Sequence, residues 1–148
     1  MVTNAVILSI QPKHADNIFS GVKTVELRRR RPKRLAKGTL VLVYVSHPTR
    51  SLAGAFKVVR VVEKPLTELW NLVRKKAAIT YQEFKQYYAG VATGTAIFFH
   101  KVRSFPEPVL LCDLRSELFN FLPPQAFRYA KEKELEAPII AKCLATMD

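Results

Sequence analysis

The sequence predicts an α+β domain: a mixed or mostly antiparallel β-sheet, curled into a small barrel, with helices at its rim. Short apolar runs of strand length recur at residues 5–10, 39–45, 52–62 and 95–102. Helical spacing appears after the first run and again between 66 and 88, so few strand connections are helical crossovers, and a doubly wound sheet is disfavoured. With 148 residues, 49% of them hydrophobic, the chain has the length of one domain and can bury a core. No repeat, low-complexity tract or long linker divides it. One domain is expected over 1–148, with 105–148 a C-terminal extension packed on it.

Residues 5–10 read as a buried strand. Pro12 suits the first turn of a helix, where its missing N–H is not needed. Ala15, Ile18, Phe19 and Val22 follow at helical spacing, and Gly21 supplies a left-handed stop. Thr24 to Arg28 then alternate, with Val25 and Leu27 on one face and Thr24, Glu26 and Arg28 on the other. That pattern predicts a half-buried strand with a polar face. Pro32 interrupts the following basic run, Arg28 to Arg34, and places it on an exposed loop.

Gly38 opens a second β-rich block, in which Gly54 marks a bulge or a close approach. Leu66, Leu69, Trp70 and Val73 form one helical stripe. Thr80-Tyr81-Gln82-Glu83 is a capping box, with Tyr81, Phe84 and Tyr88 on the apolar side of the next helix. Gly90 and Gly94 close that helix and lead into a strand. Residues 109–114 read as a strand, Pro123-Pro124 as a turn, and 125–133 as a short helix.

Lys and Arg number 24 against 12 Asp and Glu, a formal net charge of +12. Self-repulsion of that size is offset by a polyanionic partner, nucleic acid first and an anionic membrane surface second. The two cysteines, Cys112 and Cys143, exclude a cysteine-rich zinc site and argue against a disulfide scaffold. His14, His47 and His100 show no metal-ligand spacing, so no metal or cofactor is expected. The first ten residues lack a signal-peptide pattern, and no apolar run has membrane-spanning length. The expectation is a soluble cytoplasmic protein with no membrane partner. Catalytic triad order, a phosphate-cradling Gly loop and a dinucleotide fingerprint are missing.

Lys23, Glu26 and Arg28 make a compact charged constellation at the helix end and on one strand face. Arg28 and Lys23 can donate to a phosphate or base, and Glu26 can accept from an exocyclic amine. In a desolvated site Glu26 could accept a proton, or Lys23 act as an activated amine. A surface ion-pair ladder fits the spacing equally well. Arg29, Arg30, Arg31 and Arg34 suit phosphate contacts, which add affinity without sequence choice. Ser46 and Thr49 offer hydroxyls after a buried strand, though a turn set by Pro48 explains that segment too. The aromatics Trp70, Tyr81, Phe84, Tyr87 and Tyr88 fit a helix-packed core better than base stacking.

Residues 7–15 and Ser20-Gly21-Val22-Lys23-Thr24-Val25-Glu26-Leu27-Arg28 resemble the opening of an ASCH domain. That family's signature is a glycine, a lysine two on, a glutamate three further and an arginine two after that; Gly21, Lys23, Glu26 and Arg28 match it. Residues 43–48, 54–58 and 94–97 fall where the family keeps its strands, so the resemblance covers about two-thirds of the chain. It implies a β-barrel related to the PUA fold, a cleft lined by the signature beside the first helix, and binding of RNA or another nucleic acid.

The resemblance further implies that some relatives are ribonucleases and some small ones amidohydrolases acting on an acetylated cytidine. In those amidohydrolases a lysine like Lys23 is catalytic, with a threonine three residues later; here Glu26 stands at that place. Gln11 stands where many relatives have lysine. Pro123 to Tyr129 resembles a tail of longer members, with Phe127 and Arg128 near the cleft.

The leading expectation is a binding module, RNA favoured over DNA, that uses Lys13, Lys23, Glu26, Arg28, Arg29, Arg30, Arg31, Arg34, Ser46, Thr49 and Arg128. The alternative is a ribonuclease or nucleoside amidohydrolase with Lys23 and Glu26 catalytic. A weaker one is a docking domain for an acidic protein.

Overall fold

The computed structural model describes residues 1–147. Strand β1 (Val2–Ile10) leads into helix α1 (Pro12–Phe19), and β2 (Val25–Arg28) is followed by the basic loop, β3 (Leu40–Val45) and β4 (Ser51–Pro65). Helices α2 (Leu66–Val73) and α3 (Tyr81–Tyr87) precede the long β5 (Thr93–Leu110). The chain ends with α4 (Leu111–Glu117), β6 (Phe127–Lys131), α5 (Glu132–Glu136), α6 (Pro138–Leu144) and a 3-10 turn at Ala145–Met147. The strands form one sheet in the order β2-β5-β4-β3-β1-β6. Among the described residues only β1 and β3 run parallel, so the sheet is mixed, as expected.

The sheet is not closed into a barrel. Strands β2 and β6 are its two edges and share no backbone ladder. With four residues, β2 pairs only with β5. A side chain spans the seam instead: the Arg28 guanidinium donates to Ser9 O on β1 at 2.9 Å and to Ala126 O, just before β6, at 3.2 Å.

Strands β1 and β3 are buried on both faces, which is why they read as apolar runs rather than alternations. Val6, Leu8, Ile10, Val41, Val43 and Val45 face one core with Ala15 and Ile18 of α1. Ala5, Ile7, Leu42 and Tyr44 face another, covered by Leu114, Phe121 and Ile140. A third core joins β2 and β5 to α2 and α3 through Val25, Leu27, Leu69, Val73, Phe84 and Tyr88. Among the described residues no helix is long and apolar enough to cross a membrane.

Two C-terminal expectations are overturned. Residues 125–133 are not a helix: 127–131 form β6, because β1 has an edge to pair. There Phe127 and Tyr129 pack on one core while Ala130 joins the other, a period of two that helix-forming Ala, Lys and Glu mask. Residues 109–114 are not one strand either. Strand β5 stops at Leu110, and Leu111, Leu114 and Leu118 then meet the second core at helical spacing.

Gly54 is a close approach and a register shift. A Cβ there would lie 2.3 Å from Arg103 O and 2.5 Å from a ring carbon of Phe19, and the β3–β4 and β4–β5 registers both slip beside it.

Candidate functional site

The site starts at the end of α1. Helix α1 runs to Phe19 with Ser20 as its cap, and Gly21 takes φ +85°, a left-handed backbone suited to glycine. The turn closes through Gly21 N–H to Ile18 O and Lys23 N–H to Asn17 O, which directs Lys23 inward. Val22, expected to continue the apolar stripe, falls beyond the helix end and is exposed. Strand β2 then carries Glu26 and Arg28 on one face. That face is not solvated as the alternation predicted, since all four residues of β2 are buried.

Lys23, Glu26 and Arg28 are 3%, 6% and 8% exposed. Glu26 Oε2 accepts from Arg28 Nε at 3.0 Å and from Nη2 at 2.6 Å. Glu26 Oε1 lies 3.2 Å from Lys23 Nζ, which also donates to Ala77 O at 3.1 Å. Burial alone would raise the Glu26 pKa, but Arg28 and Lys23 outweigh it and hold the carboxyl below its ordinary range. The exposed ion-pair ladder is therefore excluded: this is a buried triad with one net positive charge.

Tyr88 supports the triad from behind, its hydroxyl donating to Arg28 O at 3.1 Å and Thr95 O at 3.3 Å. Burial, with smaller contributions from Tyr87 and Glu26, pushes that phenol above its ordinary value, so it stays a neutral donor. The Cβ of any residue replacing Gly94 would meet the Tyr88 ring at 2.5 Å.

Above the triad lies a cleft of about 880 Å³. Its floor is Lys23, Glu26 and Arg28; Gln11 and His14 of the α1 start lie on one side, and Glu83, Gln86 and Tyr87 of α3 also line it. Arg29 and Arg30 stand at the rim, and Ser9, Ser46 and Phe127 complete the wall. Arg29 Nη1 donates to Tyr87 O at 2.9 Å and Ala89 O at 3.1 Å, which ties the first loop residue to the end of α3.

Other expected residues lie elsewhere. Arg31 donates to Leu35 O and pairs with Glu63, and Arg34 lies 3.8 Å over the Tyr129 ring. Lys13 is exposed and pairs with Glu83 at 3.5 Å, so it meets the cleft only through that wall residue. Thr49 is exposed beyond the cleft, whereas Ser46 lines it. Arg128, expected near the cleft, makes a bidentate pair with Glu134 at 2.8 Å for each bond. The alternation of β6 turns Phe127 to the cleft and Arg128 away from it.

Sequence reasoning passed over His14, Gln86 and Gln125 as cleft residues. His14 carried a detectable signal: it lies one turn along from Gln11 on the helix that leads to the signature. Its Nδ1 is buried without a partner among the described residues. Burial first, then Lys23, lowers its pKa against the opposing pull of Glu26, so the ring is neutral near pH 7. No group of His, Cys, Asp and Glu able to hold a metal occurs among the described residues.

Fold and site together define a small α+β domain with a cleft over a buried Lys–Glu–Arg triad. The chain belongs to the ASCH domain family, whose model matches residues 8–140. A curated relative, the ASCH domain-containing ribonuclease of Zymomonas mobilis, is 28% identical over 130 residues, covering 88% of this chain and 86% of that one. The crystal structure of ASCH from Zymomonas mobilis superposes with a TM-score of 0.83 at 26% identity, covering 97% of this chain and 94% of that chain. The fold also matches human THYN1, solved in complex with 5-methylcytosine-containing DNA, with a TM-score of 0.62 at 11% identity over 93% and 96% of the two chains.

Proposed function

We propose that this chain is a nucleic-acid-binding domain that seats one nucleotide of a single strand, RNA in preference to DNA, in the cleft above Lys23, Glu26 and Arg28. The observation that carries the reading is the buried triad at the floor of an 880 Å³ cleft with arginines at its rim. That volume lies within the roughly 300–1,000 Å³ of small-ligand sites. The triad also retains unspent bonding capacity. Among the described residues Lys23 uses two of its three N–H donors, and Glu26 Oε1 uses one of its two lone pairs. A donor beside an acceptor is what the edge of a base can meet. Arg29 and Arg30 at the rim supply phosphate contacts. Residues 1–148 acting as one cytoplasmic unit, with 105–148 packed as an extension, belong to the same proposal.

The test is binding of a fluorescent single-stranded RNA across a salt series. Affinity should fall steeply with salt and drop further in Lys23→Ala. Affinity indifferent to salt would overturn the reading.

A second reading, cleavage of the bound RNA, draws support from the ribonuclease to which the chain is similar. Glu26 is a poor proton acceptor, because two cations stabilise its charged form. His14, neutral in the cleft, is the better one. Incubation with RNA separates the two readings: turnover lost in Lys23→Ala favours cleavage, and stable binding without turnover favours the module. Acetylated cytidine in the same assay tests the amidohydrolase form.

A further inference from the structure

We infer that the face of the β4–β5 ribbon turned away from the cleft is a second nucleic-acid surface, which grips the backbone of a duplex through Lys57, Arg60, His100 and Arg103. The inference rests on the nucleic-acid reading and adds to it a surface outside the cleft.

The pairing of β4 with β5 sets three rows on this face. Arg60 lies opposite Phe98, Lys57 opposite His100, and Ala55 opposite Arg103. Phe56, Val58, Ile97 and Phe99, which lie between them in sequence, point the other way into the first core. Glu26 pairs with Ile97 and so shares that inner face. The cleft and the three rows are therefore on opposite sides of the sheet.

Plain alternation would not build this grid. The register slips between Val58 and Arg60 and again between Ala55 and Lys57. At the first slip β4 carries the extra residue. Arg60 then turns outward, with its Cζ 4.3 Å from the centre of the Phe98 ring, instead of following Val58 inward. At the second slip β5 carries the extra residue: Lys101 takes φ +53°, Val102 turns to the first core, and Arg103 turns outward. Two bulges thus bring two arginines to one face, and re-aiming side chains is what bulges do at working surfaces.

The grid lies between two helical covers. On one side α2 and α3 pack around Phe98, and on the other α4 and α6 cover Leu42 and Ala55. Arg60, His100 and Arg103 are exposed between them, and Lys57 is half-buried. Among the described residues no acid pairs with these four. Of their side chains only Arg103 makes a hydrogen bond there, to the neighbouring Val102 O at 3.5 Å. Lys76 Nζ, 5.6 Å from the centre of the Phe98 ring, adds a further cation. Such a concentration of positive charge without acids complements a polyanion.

A duplex is the polyanion this face fits. Four residues of strand, the length of the three rows, span about 13 Å, or some four base-pair steps of about 3.4 Å. Single strands are held by stacking their bases on exposed aromatic rings. Phe98, the phenyl ring of the grid, is only 8% exposed beneath Arg60. The grid reaches phosphates and gives a free base little to stack on.

The experiment is a salt titration of a fluorescent twelve-base-pair DNA duplex against the full chain and the triple variant Lys57→Gln, Arg60→Gln, Arg103→Gln. Melting curves establish that the variant is folded. Losing three phosphate contacts should make the slope of log affinity against log salt shallower by about 2.7, at about 0.9 per contact on a duplex. Single-stranded oligouridylate, seated in the cleft, should keep its affinity in the variant. NMR of the unaltered chain gives an independent reading, in which the duplex should shift the Lys57, His100 and Arg103 amides. A variant slope equal to that of the unaltered chain, or those amides unmoved at saturation, overturns the second surface and leaves the cleft reading standing. Displacement of the duplex by polyglutamate at equal charge assigns the face to an acidic protein and overturns it too. No binding of duplex or single strand by the unaltered chain overturns both readings.

Discussion

Glu26 Oε2 receives two N–H groups of Arg28, two residues along the same strand, at 3.0 and 2.6 Å. The rest of the guanidinium reaches Ser9 O and Ala126 O. One ion pair therefore forms the cleft floor and links β2, at one edge of the sheet, to β1 and the start of β6 at the other. The cleft floor and the side-chain link across the open seam of the sheet share the same atoms.

Removing Arg28 breaks both. Arg28→Ala leaves a buried carboxylate without its main partner and two carbonyls without their donor. A loss of about 3–5 kcal/mol is expected. Chemical denaturation with the midpoint read by tryptophan fluorescence measures it; a loss below about 1 kcal/mol would mean the seam is held by something else.

Acid should destabilise the protein through three named groups. The folded pKa of Glu26 is lowered because Arg28 and Lys23 outweigh burial, and that of Glu134 because its Arg128 and Lys131 bonds do. Each contribution is present above the unfolded carboxylate pKa and is lost as pH falls through the folded one. His14 adds to this from higher pH: its folded pKa lies below 6.5, so the unfolded chain takes up its proton first and stability declines from about pH 6.5 downward. Melting temperature against pH should fall in two stages, and His14→Gln should remove the upper one.

Gly54→Ala tests the packing between α1 and the β4–β5 ribbon. The new Cβ would meet the Arg103 carbonyl at 2.3 Å and the Phe19 ring at 2.5 Å. The carbonyl belongs to backbone and cannot swing aside, so a loss of about 3 kcal/mol is expected. Thermal melting reads it, and an unchanged midpoint would contradict the registers of this ribbon.

Arg128 and the rim arginines should separate. Arg128→Ala breaks the Glu134 pair and should lower stability with little effect on RNA affinity. Arg29→Ala, Arg30→Ala should leave the core intact and flatten the salt dependence of binding by about 1.4. Paired denaturation and binding curves decide it. Affinity lost in Arg128→Ala at full stability would return Arg128 to the interface.

Much of the front half of the domain is legible in the sequence because its signals are local. Pro12 starts α1, Gly21 ends it, and the Thr80–Glu83 capping box starts α3 where residue types alone place it. Gly54 reads as a bulge or a close approach because it is a glycine within an apolar strand, and the structure shows both a register shift and a close approach there. The C-terminal third was harder because its structure is imposed from outside. Strand β6 forms on the free edge of β1, more than a hundred residues earlier in the chain. The site was legible in place but not in character. Alternation places Glu26 and Arg28 on one face and predicts a half-buried strand, whereas the Ser9, Ala77 and Ala126 carbonyls, distant in sequence, take up the bonds of Arg28 and Lys23 and bury that face. Arg128 shows the converse, a cation whose partner, Glu134, lies on the following helix.

On the proposed function a nucleotide enters the cleft above Lys23, Glu26 and Arg28 rather than resting on the basic loop alone. An NMR titration of the isotope-labelled chain with a short single-stranded RNA tests it most directly. Saturable shifts of the Gln11, His14, Tyr87 and Phe127 amides, together with those of Arg29 and Arg30, are expected. Shifts confined to residues 29–34, with the cleft amides unmoved at saturation, would contradict it.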